Sequence, residues 1–208
     1  MRRTCLLLGL LCLAVIWTGP LLWVWRQSLA SHMLAHMGVV AVAAPLIGMG
    51  LAGRPGTGPV LPGLPVAASL VELVVVWSWH APYPRALAET WVLATGLEQA
   101  SFLGAGLLLW ISCLGPAEKH GGRAAGVAGL LLTSIHMTLL GALLALSPRP
   151  LFGDGQVTCL GYVLDARQDQ ELGGVIMLFI GGAVYLAGGL GLMFRLLNDT
   201  PAAGKAAR

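Results

Sequence analysis

The chain has 208 residues, of which 57% are apolar and only 10% charged, with a formal net charge of +3. Soluble domains carry about 25% charged residues, so a water-soluble fold is excluded: too few polar groups remain to cover so much apolar surface. The small, dispersed positive charge supplies no basic patch and gives no support for nucleic-acid binding.

Apolar runs of about 20 residues recur along the chain, and each can cross a hydrocarbon core of about 30 Å as a helix. The first runs from Cys5 to Trp25, with Gly19-Pro20 interrupting it. Arg2 and Arg3 ahead of it, with Ser28 and Ala30 behind, give it the outline of a signal peptide. It is long for one, however, and Trp17, Trp23 and Trp25 suit a membrane interface, so it reads as a retained helix. The second span covers Ser28 to Leu51, and Gly53 to Pro62 form a turn. The third runs from Gly63 to His80 and ends in Trp77-Ser78-Trp79-His80. Ala81-Pro82-Tyr83-Pro84 then breaks the chain, and Arg85 to Trp91 read as a short interfacial helix. The fourth span is Ala94 to Leu114, followed by a polar turn from Gly115 to Gly122. The fifth is Arg123 to Leu146, and a polar stretch from Ser147 to Gln168 leads to the sixth, Asp169 to Leu197, and a tail. The expected fold is therefore all-α: one polytopic transmembrane bundle of about six helices, a single domain over residues 1–208.

Lys and Arg in alternate loops set the orientation. One side holds Arg2, Arg3, Arg54, Lys119, Arg123, Arg195, Lys205 and Arg208; the other holds Arg26, Arg85, Arg149 and Arg167. Both termini are expected on the cytoplasmic side. Small-residue stripes at Ala183, Ala187 and Gly191, and at Gly122 and Gly126, are expected to serve close helix packing. Cys5, Cys12, Cys113 and Cys159 form no CxxC pair and read as inert thiols.

Polar side chains inside a membrane are costly and mark function. His32 and His36 share a helix face, as do Met33 and Met37. His80 closes the third span, Glu98 and Gln99 open the fourth, His136 and Met137 lie in the fifth, and Asp169 and Met177 belong to the sixth. At 1.5 Å per residue, His36 lies about 12 Å, His136 about 15 Å and Met177 about 12 Å below the outer ends of their helices. Glu72 lies a similar distance below His80, so residues of five helices fall in one outer layer. Imidazole with thioether is a ligand set suited to copper, Cu(I) above all, and Asp169 could orient a ligating imidazole. The bland readings are interfacial histidines bonded to water, methionines filling the core, Glu98 capping its helix, Glu72 paired structurally, and His120 solvated in a turn. Two other functional readings compete. His36 and His136 could ligate a haem between helices, or Glu72 and Glu98 could act as relays in a copper or proton permease. Few polar residues continue into the cytoplasmic half, which counts against transport. There is no Walker loop, GxSxG or HExxH, and no strand–turn–helix context for a dinucleotide site.

The motifs resemble the polytopic CtaG family of cytochrome c oxidase assembly proteins. His32-Met33-Leu34-Ala35-His36-Met37 with Ala44-Pro45-Leu46-Ile47-Gly48 resembles the family's HMxxHM and APL signature, and Trp79-His80-Ala81-Pro82 its WHxP element. Glu98 to Leu103 with Trp110 resembles its fourth-helix pattern, and Asp169-Gln170-Glu171-Leu172-Gly173-Gly174-Val175-Ile176-Met177 its DQxxGGxxM element. The chain departs from the pattern in having about six spans where members often have seven, and in Gln99 and Leu178 where a histidine and a tryptophan are expected. The resemblance implies a non-catalytic assembly factor for a haem–copper oxidase in a bacterial cytoplasmic membrane. Its expected cargo is copper, held by His32, His36 and His80 with Met33, Met37, Asp169 and Met177 in support, and with His136, which matches no family motif, added on its depth alone. Its expected partners are an oxidase subunit or assembly intermediate and a periplasmic copper donor.

Overall fold

The computed structural model describes residues 1–51, 61, 63–115 and 120–198. Almost all of the expected Gly53–Pro62 turn, the centre of the Gly115–Gly122 turn and the tail lie outside the described residues, as do Arg54, Lys119, Lys205 and Arg208 of the charge count. In chain order the elements are α1 (Arg2–Thr18), α2 (Pro20–Trp23), α3 (Leu29–Met37), a π-helical segment (Gly38–Ala43), α4 (Ala44–Leu51), α5 (Leu64–Trp79), α6 (Pro82–Thr90), α7 (Val92–Leu114), α8 (His120–Leu146), β1 (Gln156–Cys159), β2 (Tyr162–Asp165) and α9 (Ala166–Asn198).

Five stretches are long and apolar enough to cross a bilayer unaided: Arg2–Trp23, Leu29–Leu51, Val92–Leu114, Gly122–Leu146 and Ala166–Asn198. Among the described residues α5 passes the same test only together with α6, to which it is bent by 71°, so the count is five, or six when this broken pair is one span. The bend is built by proline. Ala81, ahead of Pro82, is extended at φ −72° and ψ 144°, because a residue before proline is driven out of the helical region. The chain is a multi-pass helical membrane protein, as its composition demands.

One expectation is corrected and one element is added. Within the polar stretch between the last two spans β1 and β2 pair antiparallel, with Gln156 opposite Asp165 and Cys159 opposite Tyr162. Leu160 (φ 51°) and Gly161 (φ 86°) make the turn, both in the left-handed region that a tight hairpin requires. The stripe of Ala183, Ala187 and Gly191 is exposed, and a Cβ on Gly191 would meet nothing within 4 Å. The packing glycines of α9 lie on its other face. A Cβ on Gly174 would sit 2.5 Å from Ala145 N and 2.7 Å from Gly141 O, so α8 and α9 approach backbone to backbone where only glycine fits. The second stripe does pack, with Gly126 against the Cys113 carbonyl.

Burial shows which span forms the axis. Of the most apolar window of each span, 67% is buried in Leu29–Leu51 against 22% in Arg2–Trp23 and in Ala166–Asn198. The HMxxHM helix thus runs through the middle of the bundle. Its π segment has a cause in Pro45, which lacks an N–H and whose ring clashes with the carbonyl four residues back. Just before it the Ala44 N–H donates to Val39 O, five residues back, and the wide turn absorbs the extra residue. The Val40 carbonyl in that turn accepts side-chain bonds from Trp110 Nε1 at 3.0 Å and the Tyr185 hydroxyl at 3.2 Å.

Candidate functional site

The start of the central helix is fixed by the last span. Ser28 caps α3, its Oγ accepting from the Ser31 N–H at 3.1 Å while its O–H donates to Asp169 Oδ1 at 2.6 Å. The Leu29 N–H donates to Asp169 Oδ2 at 2.5 Å and the Ala30 N–H to Oδ1 at 3.2 Å. An anion at a helix N-terminus satisfies donors that have no partner within the helix. Asp169 was expected to orient an imidazole. Its oxygens are spent on the helix start instead, so it supports the site only by holding α3 in place.

Below this clamp the imidazoles gather. His32 stacks over His36 with ring centroids 6.2 Å apart and planes 7° from parallel. His80 lies 5.2 Å from each of them. Phe102 closes the group from α7 with its centroid 4.1 Å from that of His36. Three imidazoles bound to one ion through bonds of about 2.0 Å have centroids roughly 5.5 Å apart, a spacing near the one found here. The nitrogens do not converge in a closed centre, for among the described residues no three His, Cys, Asp or Glu side chains form a ready ion site.

Hydrogen bonding explains the difference. The His80 Nδ1–H donates to the Val76 carbonyl at 2.6 Å, which leaves the Nε2 lone pair free, and that atom is buried without a partner. His36 is fully buried with neither ring nitrogen bonded. His32 differs, because its Nδ1 lies 3.1 Å from the Arg85 guanidinium. Arginine can only donate, so Nδ1 accepts and the neutral ring carries its proton on Nε2. For His32 to ligate through Nε2, its Nδ1–H must turn to an acceptor, and Glu98 Oε2 stands 3.6 Å away.

Arg85 and Glu98 are thus part of the site, and the sequence reading missed the arginine by placing it on an interfacial helix. The 71° bend carries α6 back over the end of the bundle, leaving Arg85 only 3% exposed. Its guanidinium pairs with Glu89 at 3.1 Å, approaches Glu98 at 3.9 Å and donates to the Arg26 carbonyl at 2.8 Å. A guanidinium and a carboxylate, those of Arg85 and Glu98, therefore flank His32 where the sequence suggested Asp169. A void of about 10 Å³ lined by Arg26, His32, Arg85, Thr95 and Glu98 is about the size of one water probe.

A thioether layer lies deeper. Met33, Met37, Met137 and Met177 are all fully buried. A Cβ on Gly181 would lie 3.4 Å from Met37 Sδ and 3.2 Å from Met137 Cβ, and one on Gly173 would meet Leu29 and Ala30. α9 and α3 therefore run side by side in register, which sets Met177 level with Met33. His136 is 3% exposed with both ring nitrogens unbonded, and it lies within electrostatic range of His36. The structure thus brings His32, His36 and His80 together, and aligns the methionines beneath them. Met137, read from the sequence beside His136 in the fifth span, lies in the same layer.

The sequence profile described as cytochrome c oxidase caa3 assembly factor matches residues 61–199. The chain belongs to that family. No curated protein and no solved structure matches it. The part of this assembly factor that matches contains His80, Arg85, Glu98, His136, Asp169 and Met177, whereas the His32–Met37 motif precedes it. Geometry joins the two parts, since Asp169 and Arg85 from the matched region hold the helix that carries His32 and His36.

The assembly factor has one more polar level, beyond the methionines. Glu72 is fully buried, and its Oε1 is 2.7 Å from the Tyr185 hydroxyl, while its Oε2 has no hydrogen-bond partner. Trp110 stacks on Tyr185 with centroids 5.5 Å apart. One helical turn nearer the start of α5, Ser69 and Thr133 share a hydrogen bond of 2.8 Å. Glu72 is therefore paired, and Glu98 does not cap its helix. The Glu72–Tyr185 and Ser69–Thr133 pairs extend the polar side chains of the bundle beyond the methionine layer.

Proposed function

We propose that this assembly factor binds Cu(I) between its imidazole and thioether layers and hands it to an oxidase subunit or assembly intermediate during maturation of the copper centres. One observation carries the reading: two imidazoles, those of His36 and His80, sit fully or nearly buried with unbonded ring nitrogens beside a layer of buried thioethers. A buried polar atom left without a partner costs about 1–3 kcal/mol, and a soft monovalent ion is the partner this donor set suits. His80 is already oriented for ligation by its bond to Val76, as ligating histidines are in metal sites. Haem fits the packing less well, because Phe102 and His80 fill the space around the His36 ring where a macrocycle would need room.

Anaerobic loading with Cu(I) of the detergent-purified protein, followed by metal analysis and a visible spectrum, tests the reading. Bound copper with no visible band is the expected result. Sharp visible bands would replace copper with haem, and absence of bound metal would leave a scaffold that handles none.

The histidine end is proposed to face away from the cytoplasm in a bacterial cytoplasmic membrane, where a periplasmic donor could load it. Reporter fusions at Thr57 and Gly122 should then read cytoplasmic, and those at Tyr83 and Gly155 external. A cytoplasmic reading at Gly155 would put the imidazoles on the wrong side for such a donor.

A further inference from the structure

An ion descending into this bundle brings a positive charge into a medium that tolerates none uncompensated. Most of the carboxylates nearby are already committed. Glu98 and Glu89 face Arg85, and Asp169 is tied to the start of α3. Glu171 pairs with Arg167 at 2.7 Å on the exposed rim. Among the described residues Glu72 has no cation within ion-pair distance, and its side-chain partner is the Tyr185 hydroxyl.

Proton counting at Glu72 shows what it can do. The Tyr185 oxygen is in contact with two acceptors, Glu72 Oε1 at 2.7 Å and Val40 O at 3.2 Å, yet a hydroxyl has one proton to give. Both contacts are proper hydrogen bonds only when Glu72 is the neutral acid, donating to the Tyr185 oxygen while Tyr185 donates to Val40. If Glu72 loses its proton, the Tyr185 O–H turns to the carboxylate, and Val40 O keeps the Trp110 N–H at 3.0 Å. In each state the Tyr185 hydroxyl and the Val40 carbonyl are both satisfied, while Glu72 Oε2 stays without a partner. The π segment makes this feasible by offering one carbonyl to two donors.

We propose that Glu72 is the counter-charge of the site: it holds a proton while the column is empty and releases it when a monovalent soft cation binds above. This rests on the copper-binding reading given above. The step balances, since one cation enters, one proton leaves, and the net charge of the column is unchanged. Glu72 stands eight residues from His80, about 12 Å along α5, and Tyr185 is one helical turn beyond Gly181, where the Met37 and Met137 side chains meet. The coupling is thus across one or two turns of low-dielectric helix. Tyr185 on α9 touches Glu72 and Cys113 on α7 is within its electrostatic range. The elements around it also carry His32 and His36 on α3, His80 on α5, Glu98 on α7, Arg123 and His136 on α8, and Arg167, Asp169, Glu171 and Arg195 on α9, and the carboxylates among these are the ones already committed.

The test is an anaerobic titration of the full-length protein in nanodiscs with Cu(I), and with Ag(I) as a redox-inert probe, in weak buffer. Released protons are counted and the infrared carbonyl band of a protonated carboxylic acid is followed. The wild type should show that band before metal, lose it on binding, and release about one proton per ion. Glu72→Gln should lack the band, release none, and bind metal roughly 5- to 150-fold more weakly, the usual range for coupled sites. Tyr185→Phe should keep the proton on Glu72 in both states, because the ionised carboxylate loses its donor. Equal proton release from wild type and Glu72→Gln, or a band unchanged by metal in the wild type, overturns the counter-charge while leaving copper binding intact. Failure of the wild type to bind either ion overturns both. The wild-type band is read without any variant, so the outcome does not depend on the folding of Glu72→Gln.

Discussion

His36→Ala should abolish soft-metal binding, lowering Cu(I) affinity by on the order of 100-fold or more, while the protein accumulates and melts much as the wild type does. Second-sphere partners of a metal cost about 10- to 100-fold when removed, and a ligand costs at least that. The fold should hold because His36 makes no side-chain hydrogen bond. Truncation deletes an unsatisfied polar group and leaves a modest void, and these effects oppose one another to within about 1–2 kcal/mol. His36 is the cleanest of the three for this purpose. His80→Ala also removes the bond to Val76, and His32→Ala also strips a partner from buried Arg85. Metal content of the purified variant and copper content and activity of the client oxidase are the measurements, with His120→Ala as control. A fully active oxidase assembled by His36→Ala at limiting copper would end the copper reading.

Asp169→Ala should do the reverse, with little folded protein and no rescue by added copper. The substitution strands the Ser28 hydroxyl and the Leu29 and Ala30 N–H groups at a buried helix start. Breaking a buried charged network by removing one partner costs about 3–5 kcal/mol, a large share of a typical stability of 5–15 kcal/mol. Asp169→Asn, which keeps one accepting oxygen, should fall between. Membrane abundance and thermal unfolding in detergent separate the two variants from wild type. Normal abundance of Asp169→Ala would show that the clamp does not hold the second span.

The contrast between these two residues shows what was legible in the sequence. Span positions were, because hydropathy is a local property: Ser28 to Leu51 was expected and Leu29–Leu51 is found, and Ala94 to Leu114 begins at Val92. The grouping of His32, His36 and His80 also followed from depth along each helix. Partner choice did not follow, because depth says nothing about rotation. Asp169 lies at the right level to face an imidazole but is turned to a helix start, one hydroxyl and two backbone N–H groups, 139 to 141 residues earlier. Arg85 was hidden by a bend whose angle no residue pattern specifies. The bond between Glu72 and Tyr185 spans 113 residues and depends on a π turn that adds one residue to the helix. The β1–β2 hairpin was missed because four-residue strands in a polar stretch leave no period to read.

The Asp169 clamp also imposes an order on biosynthesis. Chains are made from the N-terminus at about 5–20 residues per second, so the histidine helix leaves the ribosome long before its anchor exists. Until residue 169 has been made and the last helix has docked, the donors at the start of α3 have no carboxylate, and Gly173 and Gly181 are not there to line up the methionines. A nascent chain that stops short of α9 therefore cannot present the imidazole and thioether layers together. Completion of the candidate site is tied to the docking of that helix.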